Sequence, residues 1–199
     1  MLNNMIIKFI FIVICFIIAA LSYYKCNSKK DWTLLTAGLL FTVGADYFLI
    51  IQNMHMPGVA VFCFAHICYI LRVANISKGV KRALVIAVSV WIFLLFVNNA
   101  LLALAGTYAV LFMVNIAVNI HYFRQENTLL PKLNKTLLLA GLILFALCDV
   151  NVALFNLPRQ FEGLLPDVFP QAFYLIWVFY LPSQLLLAIS GIAFPKAKE

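Results

Sequence analysis
The chain has 199 residues, 65% of them hydrophobic and 11% charged, with a mean hydropathy of +1.04 and a formal charge of +7. That leaves too little polar surface for a water-soluble domain, so the bilayer is the solvent and residues 1–199 make one integral membrane domain with no room for a soluble module. The Lys and Arg residues are scattered through short loops, which argues against a nucleic-acid-binding stripe and for contact with anionic lipid headgroups.

A hydrocarbon core of roughly 30 Å is crossed by about 20 apolar residues of helix. Seven stretches meet that need, at about 5–23, 33–52, 57–74, 83–97, 100–122, 136–156 and 170–194. The expected fold is therefore all-α, a polytopic membrane helical bundle of about seven transmembrane helices. The first stretch, "KFIFIVICFIIAALS", also has the basic start and apolar run of a signal peptide. Cleavage would export Lys25, Lys29 and Lys30, so an uncleaved span is expected. The fourth and fifth stretches are separated only by "VNNALLALAG", with Asn98 and Asn99 as a tight turn.

The connections 25–31, 75–82 and 124–135 and the tail 196–199 are basic, whereas "QNMHMP" and the Asn98–Asn99 turn carry no Lys or Arg. With seven spans these groups alternate sides, and 12 of the 14 basic residues fall on one side when Arg72 is counted with the second group. Only Lys8 and Arg159 are left over. Positive-inside bias places the N-terminus outside and the C-terminus in the cytoplasm. The short loops and compact size suggest a bacterial cytoplasmic membrane. Nothing in the chain calls for an obligate protein partner.

Two aspartates interrupt the apolar runs. Asp46 ends "AGLLFTVGAD" in the second span and Asp149 ends "AGLILFALCD" in the sixth. Both spans run from inside to outside, so the matching strings read either as a parallel repeat or as chance resemblance between short apolar segments. Either way the carboxyl groups lie at one depth, roughly 10 Å below the outer surface at 1.5 Å per residue, and are expected to face one another. A carboxylate inside a membrane turns toward partners or a water-filled cavity. His66 and Tyr69 share one face of the third span, and Tyr180 and Gln184 share one face of the seventh. Pro182 between the latter two is expected to kink that helix and free the Val178 carbonyl. Asn115, Asn119 and Asn151 are further candidate partners for the carboxyl groups, with a purely structural role as the favoured reading.

Two carboxyl groups in one apolar pocket do not both ionise readily, which leaves a neutral acid beside a charged base. That pairing suits acid–base hydrolysis through an oxocarbenium-like species, and equally suits proton-linked transport or lipid binding. A purely structural role, with each aspartate paired to Tyr or Gln, is a third reading. His55, His66 and His121 are too scattered for a zinc site, so no metal and no cofactor is expected. The last span has no lysine for a retinal Schiff base, and the GxSxG elbow of serine lipases is absent. Cys15, Cys26, Cys63, Cys68 and Cys148 form no CxxC pair and are expected as free thiols.

Four segments, "GLLFTVGADYFL", "GVAVFCFAHICY", "LILFALCDVNVAL" and "FYLPSQLLL", resemble the YhhN family of membrane lysoplasmalogenases over about 35–190. Asp46, His66, Tyr69, Asp149, Tyr180 and Gln184 fall on the family's motif positions. Ala45 stands where the family has glycine, and Cys148 where serine is usual. The resemblance implies hydrolysis of the vinyl-ether bond of a lysophospholipid substrate, releasing a fatty aldehyde and a glycerophospho-ethanolamine or -choline. It implies Asp46 and Asp149 as acid and base, with His66, Tyr69, Tyr180 and Gln184 positioning water and substrate oxygens. The lipid tail is expected among Phe41, Phe48 and Phe62.

Overall fold
The computed structural model describes residues 2–73, 100–126, 128–160 and 169–194. These residues are helical: α1 (Leu2–Leu21), α2 (Lys29–Asp46), α3 (His55–Val73), α4 (Ala100–Arg124), α5 (Lys132–Gln160) and α6 (Phe169–Ile189). All six are long and apolar enough to cross a membrane, and the protein is an integral membrane protein. The predicted span 83–97 and the Asn98–Asn99 turn lie outside the described residues.

Helix ends depart from the expected boundaries for local reasons. α2 starts inside the stretch read as a basic connection because Ser28 caps it, its hydroxyl accepting from the Asp31 N–H at 3.1 Å. At its other end, α2 widens into a π-helical turn, Tyr47–Ile51. Asn53 then takes a positive φ of 53°, a conformation Asn tolerates, and the chain turns into α3. The last span ends at Ile189 rather than 194, since Ser190 and Gly191 turn the chain into a short extended segment that bridges to Cys26.

Ring contacts set the helix directions. Phe62 and His66 of α3 both meet Tyr108 of α4, and His66 also meets Phe112 and Asn115 further along, so α3 and α4 run parallel. α3 therefore ends, and α4 begins, at opposite faces. α5 runs antiparallel to α4, with Phe145 on Phe112 and Asp149 on Tyr108. Glycines permit the tightest crossings. A Cβ on Gly38 would lie 2.5 Å from the Tyr69 ring, and one on Gly141 would lie 3.0 Å from Leu187. These are the glycines of the two "AGL" strings, and each receives the helix that follows its own. The repeated strings thus share a packing role.

α1 is amphipathic in the membrane sense. Ile12, Cys15 and Ala19 are buried in the core, while Ile7, Ile10, Ile14, Ile17 and Leu21 line the outward stripe. Lys8, left over by the charge count, lies over the Trp177 ring at 4.0 Å and near Phe173 at 5.4 Å.

One face of the bundle is tied together by a buried polar knot. Arg72 Nε and Nη2 donate to the two carboxylate oxygens of Asp31 at 2.6 and 3.1 Å, and Nη1 donates to Ser190 Oγ at 2.7 Å. Both charged side chains are fully buried. Asn134 donates to the carbonyls of Ser190 and Ile192, and the Ala193 N–H donates to the Lys25 carbonyl. Arg72 and Asp31, counted in the sequence as surface charge, are thus interior partners. The knot gathers the starts of α2 and α5 with the ends of α3 and α6, which puts the basic segments 25–31 and 124–135 on one face.

Candidate functional site
Asp46 is the last residue of α2 before the π turn. In that turn the N–H of Gln52 reaches the carbonyl of Tyr47 at 3.0 Å, and that of Met54 reaches Phe48 at 2.8 Å. Such widened turns are rare and recur at functional sites. Close contact with α3 supports the turn: a Cβ on Gly58 would strike Leu49, and Ala45 lies fully buried at the same crossing.

Asp46 is buried at 3% exposure and accepts a hydrogen bond from Tyr180 Oη at 2.5 Å. Asp149 is half-buried and accepts one from Tyr108 Oη, also at 2.5 Å. Each carboxyl group is held by a tyrosine: Asp46 by Tyr180, a partner the sequence offers, and Asp149 by Tyr108, which it does not. Rotation of the helices decides this. α6 presents Tyr180 to α2, and α4 presents Tyr108 to α5.

The two Asp–Tyr pairs are linked through an aromatic cluster. Phe145, one turn before Asp149, meets Tyr180 at 5.6 Å between ring centroids, His66 at 5.4 Å and Phe62 at 5.8 Å. His66 in turn meets Tyr108 at 5.0 Å and Phe112 at 4.5 Å. His66 therefore sits between the pairs. It is fully buried, with Nδ1 3.1 Å from Asn115 Nδ2, and its Nε2 has no hydrogen-bond partner among the described residues.

The other predicted residues occupy the margin. Tyr69 packs its ring on Gly38, with its hydroxyl 3.5 Å from Thr42 Oγ1, and makes a 6.4 Å ring contact with His66. Gln184 lies one turn beyond Tyr180. Its Nε2 donates to Ser183 Oγ at 3.3 Å, and its buried Oε1 has no partner among the described residues. Of the three phenylalanines expected to line a tail, Phe62 lies in the aromatic cluster, Phe41 beside the exposed Phe64, and Phe48 beside Tyr47. Pro182 lies within α6, where the adjacent Ser183 hydroxyl donates to the Tyr180 carbonyl. Among the described residues, no three His, Cys, Asp or Glu side chains converge as a metal would require. Asn151 donates to the carbonyl of Leu147 in its own helix.

The model of the YhhN family matches residues 3–191. The chain belongs to the YhhN family. It matches no curated protein and no solved structure. The two departures from the YhhN pattern noted in the sequence, Ala45 and Cys148, are both buried beside the aspartates. Sequence reasoning missed Tyr108 and Phe145, because single aromatic residues in an apolar span carry no polarity signal. A trace was present for Tyr108, which shares a helical face with Asn115 and Asn119 at separations of seven and eleven residues.

Chemically, the site sets two carboxyl groups, each held by a phenolic hydroxyl, on either side of a ring-lined interior. Proton transfer at an apolar bond is within reach of such a set. Tyr hydroxyls orient the carboxyl oxygens, and the rings surround them with apolar surface.

Proposed function
We propose that the protein is a lysoplasmalogenase-like hydrolase acting within a bacterial cytoplasmic membrane. Its substrate is a lysoplasmalogen, and it cleaves the vinyl-ether bond to a fatty aldehyde and a glycerophospho-ethanolamine or -choline. The observation that carries the reading is the pair of Asp–Tyr contacts set across one aromatic cluster, in a chain of the YhhN family.

The chemistry follows from what a vinyl ether needs. One aspartate, as the acid, gives its proton to the β-carbon of the double bond, leaving an oxocarbenium ion at the α-carbon. The other, as carboxylate, pairs with that cation and takes a proton from the water that attacks it. The resulting hemiacetal collapses to the aldehyde and the freed glycerol hydroxyl, and proton return restores the acid. Tyr180 and Tyr108 hold the carboxyl groups in place. His66 and Gln184 offer polar atoms to the water and the glycerol oxygens, and Tyr69 supports His66 from the adjacent turn.

The test is purified protein in nanodiscs with lysoplasmenyl-ethanolamine, assayed for aldehyde. Wild type releases aldehyde, while Asp46→Asn and Asp149→Asn each abolish release in folded protein. Near-full turnover by either variant would sink the two-carboxyl mechanism. Wild type that yields no aldehyde but carries protons into liposomes would favour the transport reading.

A further inference from the structure
Asn115 and Asn119 leave His66 no choice of tautomer. The main-chain carbonyl of Asn115 only accepts. Asn119 Nδ2 lies 2.9 Å from the Asn115 main-chain oxygen, so the atom there is the amide nitrogen. The same nitrogen lies 2.8 Å from Asn115 Oδ1, which must therefore be the amide oxygen. That leaves Asn115 Nδ2 facing His66 Nδ1 at 3.1 Å. An amide NH2 only donates, so Nδ1 accepts, and the ring proton of the neutral imidazole resides on Nε2. All three side chains are buried, at 0% exposure for His66 and Asn115 and 2% for Asn119, so no bulk water competes.

We infer that Asn119 and Asn115 form a relay that fixes His66 as an Nε2–H donor, aimed at a ligand oxygen between the two Asp–Tyr pairs. The second observation is Nε2 itself, buried and without a partner among the described residues, on a ring that meets Phe112, Tyr108 and Phe145. A buried N–H left unpaired is costly, so the position suits an acceptor supplied from outside the protein. The acceptor is an oxygen, from bound water or from the glycerol part of a lysophospholipid. His66 is then a hydrogen-bond donor to substrate or water and not the base, and the two asparagines are positioning residues. This assignment deepens the hydrolase reading and rests on it only for the identity of the ligand.

The test reads the tautomer directly. His55 and His121 are changed to Gln, leaving His66 as the one histidine of the three, and the full chain is labelled with 15N-histidine in nanodiscs. The expected spectrum has the ring proton coupled to Nε2 and an unprotonated Nδ1. Asn115→Asp is nearly isosteric but presents an acceptor to Nδ1, so it should move the ring proton to Nδ1. A non-hydrolysable 1-O-alkyl lysophospholipid that shifts the Nε2 proton resonance identifies the lipid oxygen as acceptor. An unshifted resonance with a cross-peak to water identifies water instead, and both support the donor assignment. In the aldehyde assay, Asn115→Asp should lower kcat roughly tenfold or more with little change in KM. A proton on Nδ1 in the wild type, or an unmoved proton in Asn115→Asp, overturns the relay. Since the wild-type spectrum needs no variant and no turnover, a chain that shows the Nε2–H tautomer yet releases no aldehyde refutes the hydrolase and leaves the relay standing.

Discussion

Tyr180→Phe removes one oxygen atom from the centre of the site and little else. The ring keeps its contacts with Phe145 at 5.6 Å and Trp177 at 6.0 Å, while Asp46 loses the hydroxyl that donates to it at 2.5 Å. Both residues are more than nine-tenths buried, so water does not replace the lost donor. A buried hydrogen bond contributes about 1.5–3 kcal/mol when its acceptor is charged and about 0.5–1.5 kcal/mol when both partners are neutral. The loss in unfolding free energy, measured by reversible denaturant titration in detergent micelles, therefore reports which form Asp46 takes. Tyr108→Phe asks the same of Asp149. If one aspartate serves as acid and the other as base, the two variants should differ, the larger loss marking the carboxylate. Under the hydrolase reading, the variant at the carboxylate should also lose roughly 10- to 100-fold in kcat/KM and the variant at the neutral acid roughly 2- to 10-fold, the ranges that 1.4 kcal/mol per factor of ten assigns to such bonds. Tyr24→Phe, at a position 92% exposed, is the control and should change neither quantity. A loss below about 0.5 kcal/mol for Tyr180→Phe would refute the buried Asp46–Tyr180 pair, since that is smaller than any buried hydrogen bond of this kind contributes.

Arg72→Met leaves the Asp31 carboxylate buried without its bidentate partner and should destabilise the protein by about 3–5 kcal/mol, whereas adding Asp31→Leu should recover part of that loss in a double-mutant cycle. Gly38→Leu drives a side chain into the buried Tyr69 ring, 2.5 Å from where a Cβ would stand, and should cost about 1–3 kcal/mol by overpacking in the same titration. Tyr24→Cys in a cysteine-free background reports orientation. With the basic face in the cytoplasm, a membrane-impermeant maleimide should label it only after cells are permeabilised, and labelling of intact cells would reverse the assignment.

Hydropathy alone located all six described spans because a helix in lipid satisfies its own backbone hydrogen bonds, so each can be read one segment at a time. The same logic picked out Asp46, Asp149 and His66: a polar group in hydrocarbon is conspicuous against its neighbours. Partnership was not legible in that way. That Asp46 meets Tyr180 and Asp149 meets Tyr108 depends on how far each helix is rotated about its axis, which follows from packing details such as Gly38 under Tyr69 and Gly58 under Leu49. Asp31 and Arg72 looked like loop charges since they flank spans 41 residues apart, and only the meeting of helix ends made them one buried pair. Tyr108 and Phe145 were silent because an aromatic ring has the same hydropathy whether it faces lipid or a carboxyl group. The contact of Asn115 with His66 was illegible for a related reason: it lies in the direction of one amide group, and direction exists only once three helical side chains have been brought into contact.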